Sequence, residues 1–279
     1  MKRLALCIVA LLATACDQQP AGEPVTRTRI DGQQGAPSAS PSPAETLTSQ
    51  VESACRSVIF ENTPLTHCLA VPARHRIETA LAGEDGANYR GLQALSAALD
   101  PETVAFAMNA GMFDDEGDPV GYFVEGGERL KELNTADGEG NFHMKPNGVF
   151  YGSDGSWAVR STEDFLANVT ERPAFGTQSG PMLVIDGKIH PEITADGPSR
   201  LVRNAVGVDG QGRAHFVISN APVSFGKLAR FYRDELETPN ALFLDGSVSA
   251  LWNPATGRLD GGAPLGPLIV VTKRATAPQ

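Results

Sequence analysis

The stretch VAFAMNAGMFDD, residues 104–115, sets the reading of the whole chain. Apolar residues run up to Met108 as they would along a strand, and Asn109-Ala110-Gly111 then interrupts them. Met112-Phe113 and two aspartates follow at once. An ordinary surface turn does not need an amide, a glycine and a bulky apolar pair in that order. The strand end is therefore read as a platform that holds something in place.

Four other stretches carry more polar detail than turns and core require. NFHMKPNGVF (141–150) holds Lys145 and Asn147 beside Pro146 and Gly148. TQSGPMLV (177–184) sets Gln178-Ser179-Gly180 before an apolar run, and SRLVRNAVGV (199–208) brings Arg203-Asn204 into another. NALFLDGSVSALW (240–252) caps Leu242-Phe243-Leu244 with Asp245-Gly246-Ser247. Three of the five place a polar residue with Gly close by at the edge of an apolar strand. Strand ends are rigid, and Gly lets backbone N–H groups approach a ligand closely. Each stretch alone also suits a turn whose Asn, Asp or Ser satisfies local backbone. Their joint occurrence, with one arginine and one lysine as the nearby cations, points to a site.

Around these stretches lie short apolar or alternating runs bounded by Gly, Asp, Asn and Pro. Asp-Gly turns in GSDGSW (152–157), IDGK (185–188) and VDGQGR (208–213) predict hairpins. Helical patterns are fewer. YRGLQALSAAL (89–99) aligns Leu92, Leu95 and Leu99 on one face. STEDFLANV (161–169) opens with Ser161-Thr162 and acidic residues, and VSFGKLARFYRDEL (223–236) spaces Phe225, Leu228, Phe231 and Leu236 near a helical period. Strands with a few helices and no regular βα alternation predict a single α+β domain around a mixed, mostly antiparallel sheet, over residues 51–279.

The front end reads as an export device. Lys2 and Arg3 precede an apolar run from Leu4 to Leu12, and Ala13-Thr14-Ala15 has the small residues of a cleavage site, giving a signal peptide over 1–15. That apolar run is about half the ~20 residues that span a bilayer. Cys16 directly after the small residues is similar to a bacterial lipobox cysteine, lipidated as the mature N-terminus and anchoring the chain to a membrane. The usual leucine sits one place early, as Leu12. Residues 16–50, rich in Pro, Ser, Gln, Ala and Gly, read as a disordered tether of roughly 30–35 Å root-mean-square span.

Charge and cysteine usage narrow the function further. The chain carries 23 Lys and Arg against 33 Asp and Glu, a net charge of −10, and loss of residues 1–15 takes it to −12. Nucleic acid, which needs a basic footprint, is excluded as a partner. An anionic substrate must then be met by a local positive site. Cys7 leaves with the signal and Cys16 takes the lipid, so Cys55 and Cys68 are predicted to form a disulfide. No Walker loop, HExxH, GxSxG or CxxC pattern occurs, and the spacing of DDEGD (114–118) does not fit an EF-hand. No metal site and no cofactor are assigned. His143, His190 and His215 sit beside strand-like residues, as packed or capped imidazoles do.

The motifs NAGMF (109–113), QSGPML (178–183), RNAVG (203–207) and ALFLDGS (241–247), in that order, resemble the signature of the phosphodiester glycosidase family. The resemblance covers about residues 100–275, and KPNGVFYG (145–152) is similar to the bacterial branch. Where many members read Asn-Gly-Gly-Phe-Phe, this chain has Asn-Ala-Gly-Met-Phe. Where many read Leu-Asp-Gly-Gly-Gly-Ser, it has Leu244-Asp245-Gly246-Ser247-Val248-Ser249.

The resemblance implies hydrolysis of a sugar-1-phosphodiester at the anomeric carbon–oxygen bond. Asp245 is then the carboxylate, Arg203 the phosphate clamp and Asn109 the third catalytic group. Gly111, Lys145, Asn147, Gln178, Ser179, Gly180, Asn204, Gly246 and Ser247 surround the substrate. Asp114 and Asp115 read as a solvated loop. The implied partner is a carbohydrate phosphodiester or envelope glycan, met by a lipid-anchored protein facing the periplasm. The competing class is a non-catalytic glycan-binding envelope lipoprotein of the same fold.

Overall fold

The computed structural model describes residues 53–275. The signal peptide over 1–15, the lipidated Cys16 and the tether over 16–50 lie outside the described residues. Within them the α+β reading holds, and the sheet core resolves into three sheets in which every pairing is antiparallel.

The first sheet runs β1 (Cys55–Phe60), β2 (Thr63–Ala70), β13 (Ala214–Ser219), β12 (Asn204–Val208), β14 (Asn240–Phe243), β10 (Met182–Ile185) and β11 (Lys188–Ile189). The second runs β16 (Arg258–Leu259), β15 (Leu251–Asn253), β4 (Val104–Asn109), β17 (Leu268–Lys273) and β3 (His75–Ala80). The third runs β6 (Glu128–Lys131), β5 (Phe123–Glu125), β9 (Phe175–Ser179), β7 (Gly148–Ser153) and β8 (Ser156–Ser161). The Asp-Gly turns join β7 to β8, β10 to β11 and β12 to β13, as their turn chemistry requires.

The turn between β1 and β2 is different. Glu61 and Asn62 both adopt positive φ, 44° and 61°, as a two-residue hairpin turn demands. Asn tolerates this and Glu does not readily. The Glu61 carboxylate is fixed by two hydrogen bonds from Arg230, at 2.7 and 2.6 Å. At the other end of this hairpin Cys55 and Cys68 stand directly opposite, and they form the disulfide. Closing a loop of this length stabilises by about 3 kcal/mol, chiefly by restricting the unfolded chain. A Cys55→Ser/Cys68→Ser double variant should lose about that much in urea unfolding. Reductant should move the wild-type midpoint to that of the variant.

The three sheets meet at Phe216 of β13. Its ring lies 5.2 Å from Phe106 of β4 and 5.6 Å from Phe150 of β7, edge-on to both. Each sheet is covered outside by a short helix. Helix α1 (Leu92–Ala98) buries Leu92 and Leu95 against Val104, Ala107 and Val270 of the second sheet. Helix α2 (Thr162–Asn168), capped by Ser161 on the Asp164 amide, packs Phe165 with Tyr122 and Val149 of the third. Helix α3 (Phe225–Arg230) continues through a π-type turn (Phe231–Glu235), laying Leu228 and Tyr232 on Val217, Ala241 and Phe243 of the first. All of β4 is buried, because it lies between the central cluster and α1. That double burial explains its unbroken apolar run.

Candidate active site

The ends of β4, β9 and β14 and the start of β12 converge, and with them come Asn109, Ser179, Asp245 and Asn204. After β14 the chain turns through Leu244–Ala250, and this turn is held from two other sheets. Asn109 Nδ2 donates to the Asp245 carbonyl at 3.0 Å, while Asn109 Oδ1 accepts from Asn204 Nδ2 and from the Ala250 amide, both at 2.9 Å. Ser179 Oγ donates to the Leu244 carbonyl at 2.9 Å. Ser249 Oγ closes the ring on the Asp245 carbonyl at 3.1 Å and lies 3.2 Å from Asn204 Oδ1. Asn109, Asn204 and Ser179 are buried and Ser249 half-buried, so their mutual satisfaction is what lets the arrangement persist in a largely dry environment.

Asp245 itself is 8% exposed. Its Oδ1 accepts from the Ser247 amide at 2.9 Å. Burial pushes its carboxyl above the usual range, against the opposing effect of the Ser247 bonds. A carboxylate so placed is a better proton acceptor than a solvated one. Gly246 and Ser247 open onto a cleft of about 310 Å³, walled also by Arg90–Gln93, Leu201-Val202 and Asp260–Ala263. This is the low end of ligand-site volumes, enough for a sugar-sized group.

Arg203 does not behave as a clamp. It lies beside Gly246, but it is fully buried. Its guanidinium donates to the Val223 carbonyl at 3.0 Å and to Ser199 Oγ at 2.9 Å, and stacks 3.7 Å from the Phe225 ring centroid. Burial brings its pKa down to about 10, so it remains charged at neutral pH. The Nε and Nη2 of its fork are taken up by the protein, and Nη1 is buried with no partner among the described residues. Arg203 is thus a strut between the 199–203 segment and α3.

Several glycines and amides are also framework. A Cβ at Gly111 would overlap the Gln178 carbonyl oxygen, and the Gly111 amide is taken by Thr177 Oγ1 at 3.0 Å. A Cβ at Gly180 would press on Asn147 and on the Phe142 carbonyl. Both glycines serve close approach between chain segments, not a ligand. Gln178 accepts from the Tyr122 and Asn134 amides and donates to Thr162 Oγ1 and the Asn134 carbonyl. Asn147 Nδ2 is used by the Phe142 carbonyl, and Lys145 Nζ by the Thr135 carbonyl and Asp137. Asp114 and Asp118 shape their own turn, with the Asp118 amide on Asp114 Oδ1.

Arg90 and Ser249 were not singled out from the sequence. Arg90 is the arginine that lines the cleft, and no lysine does so among the described residues. It has φ of 54°, its Nη2 reaches the Asp115 carbonyl at 3.3 Å, its guanidinium lies 5.9 Å from the Phe113 ring centroid, and its Nη1 is buried with no partner among the described residues. Asp260, the carboxylate lining the same cleft, is bonded by Arg258 at 2.7 Å. The signal for Arg90 was faint: an arginine between Tyr89 and Gly91 where a helix begins. Among the described residues no group of three or more His, Cys, Asp or Glu is placed to hold a metal ion.

A model of the phosphodiester glycosidase family matches residues 102–271. The chain is 32% identical over 182 residues to the "Uncharacterized protein YigE" of Escherichia coli (strain K12), covering 65% of this chain and 71% of that one. By fold it is similar to the zebrafish N-acetylglucosamine-1-phosphodiester alpha-N-acetylglucosaminidase catalytic domain auto-inhibited by pro-peptide, with a TM-score of 0.53 and 14% identity over 79% of this chain and 82% of that one. It is also similar to a "Putative exported protein" of Burkholderia pseudomallei K96243, with a TM-score of 0.50 and 11% identity over 75% and 74% of the two chains. At such identities these two likenesses are of fold. The matched span takes in Asn109, Ser179, Asn204 and Asp245, the four residues that converge, and covers more than half of the sequence, so the chain belongs to the phosphodiester glycosidase family.

Proposed function

We propose that this protein hydrolyses a sugar-1-phosphodiester at the anomeric carbon–oxygen bond, releasing the sugar and a phosphate monoester. The observation that carries this reading is the buried Asp245 carboxylate, next to the Gly246 and Ser247 that line a polar cleft, on a turn whose backbone is tied by Ser179, Ser249 and an Asn109 itself held by Asn204. Water attacks the anomeric carbon, and its proton passes to Asp245. The bond from that carbon to the phosphate oxygen breaks, and its electron pair leaves with the phosphate monoester. Such a leaving group needs little protonation but does need its charge met, so one carboxylate suffices where ordinary glycosidases use two. Arg90 meets the phosphate in place of the buried Arg203. No cofactor takes part in this scheme.

The envelope setting belongs to the same proposal. It is supported by the signal-like residues 1–15, by Cys16, by the Cys55–Cys68 disulfide and by the fold likeness to a protein titled as exported. The substrate is then an envelope glycan or another carbohydrate phosphodiester, reached from a membrane-anchored tether.

Turnover of N-acetylglucosamine-1-phospho-alkyl and related sugar phosphodiesters, read as phosphate monoester released, tests the activity. Arg90→Ala is expected to raise KM about tenfold or more, since a charge-assisted contact is worth about 1.5–3 kcal/mol. An Arg90→Ala variant with wild-type KM would remove Arg90 from phosphate binding. Absence of turnover across a panel of sugars would favour a glycan-binding role for the cleft.

A further inference from the structure

A second cleft, of about 910 Å³, shares no lining residue with the one beside Asp245. Arg56, Arg74, Arg213, Lys273 and Arg274 line it, and no carboxylate does so among the described residues. On a chain of net charge −10 this is a local reversal of sign. The charges behind it partly offset the excess: Arg213 pairs with Asp209 and Arg274 with Asp154, and Arg74 has an interaction of its own.

At the cleft wall stands His67, directly opposite Arg56 in the β1–β2 ladder and 4% exposed. Its Nε2 lies 3.0 Å from His215 Nδ1, and His215 Nε2 lies 2.9 Å from Asp209 Oδ2. Asp209 also accepts from Arg213 Nε and from the Gln211 and Arg213 amides, so it is an ionised acceptor. This chain of bonds fixes the tautomers. His215 carries its hydrogen on Nε2 to face Asp209, which leaves Nδ1 as an acceptor, and His67 must then donate from its own Nε2. The remaining atom, His67 Nδ1, is a bare lone pair, buried and without a partner among the described residues. Burial, with His215, Arg56 and Arg213 nearby, holds the His67 pKa down to about 4, so the ring is neutral at pH 7.

A site with surplus positive charge and one buried acceptor asks for an anion that also carries a hydrogen. Carboxylates and sulfate esters bring charge but no such hydrogen at neutral pH. Hydrogen phosphate brings both, and so does a phosphate monoester in its monoanionic form, which is still present near neutrality because the second pKa is about 6. We propose that this basic cleft is a second binding site of the protein, for a phosphate monoester held by Arg56 and Arg213 with a P–OH group donated to His67 Nδ1. That is also the class of compound released in the hydrolysis proposed above, which would make the site a place for product or for a phosphorylated glycan end. Only this last link rests on the proposed activity; the binding does not.

Calorimetric titration of the full chain at pH 7 with inorganic phosphate, sn-glycerol 3-phosphate and sulfate tests the site without any turnover. Both phosphates should bind, with sulfate at least about tenfold weaker. Arg56→Gln, an exposed change that leaves the fold intact, should weaken phosphate about tenfold or more. His67→Phe, checked for folding by its melting curve, should abolish the preference over sulfate. Vesicles containing phosphatidate, compared with phosphatidylcholine alone, distinguish a lipid source from a soluble one. Binding of sulfate as tightly as phosphate, or wild-type affinity in Arg56→Gln, would overturn the proposal, as would no binding of any phosphate probe at millimolar concentration.

Discussion

Asp245→Asn is expected to fold, to melt no lower than the wild type at pH 7, and to lose at least about 10²-fold in kcat. The amide keeps an oxygen for the Ser247 N–H and the same shape beside the cleft. What it removes is a buried negative charge. Burial raises the folded-state pKa of Asp245 above its unfolded value, so the folded chain holds that proton more tightly. The favourable contribution of the group is therefore complete at low pH, below the unfolded pKa, and is lost as pH rises through the folded pKa. The amide variant has no such dependence, and its advantage should appear near neutrality and shrink to nothing by about pH 3–4. A rise of a few °C in Tm at pH 7, at about 2–4 °C per kcal/mol for a domain of this size, would fit. Thermal melts at both pH values, with kcat measured on the same preparations, check this. A variant less stable than wild type at pH 7 would mean that the charge is welcome where it sits, and Asp245 would be a structural residue.

Asn109→Ala should do the reverse, harming both stability and turnover while leaving the carboxylate in place. The Ala250 amide loses its acceptor outright, Asn204 Nδ2 keeps the Asn109 carbonyl, and the Asp245 carbonyl keeps Ser249. One orphaned buried donor and two weakened groups amount to about 2–4 kcal/mol. The 244–250 turn then has two ties fewer to the second sheet, and kcat should fall by about tenfold or more because Asp245 is no longer held in one geometry. Ser249→Ala serves as the comparison. It removes a hydroxyl that shares its acceptors with Asn109, so its loss should stay near or below about 1 kcal/mol. Urea unfolding of the pair, with initial rates, separates the two. Equal losses would show that the network is not organised around Asn109.

Local chemistry is what the sequence made legible. Each Asp-Gly turn and each helix start is decided by the few residues that form it, and the pairing of Cys55 with Cys68 followed from there being no other partner. The run to Met108 with its amide and glycine marked a real junction, because a strand buried on both faces can end in polar residues only where others satisfy them. Direction was not legible. Arg203 sits in a motif beside Gly246, yet its guanidinium turns toward Val223 and Phe225, and no local pattern dictates which neighbour wins. Gly111 and Gly180 look alike whether a glycine admits a ligand or another strand, and here both admit protein. Arg90 escaped notice because its cleft is assembled from segments far apart in the chain, with Gly246 and Gly261 on its other walls. The order β1-β2-β13-β12-β14-β10-β11 is non-local in the same way.

Hydrolysis in ¹⁸O-labelled water tests the central claim most directly. With Asp245 activating water against the anomeric carbon, the label should appear in the free sugar and the phosphate monoester should stay unlabelled. Label in the phosphate would show attack at phosphorus. The protein would then be a phosphodiesterase in its chemistry, and the role given to Asp245 would be wrong.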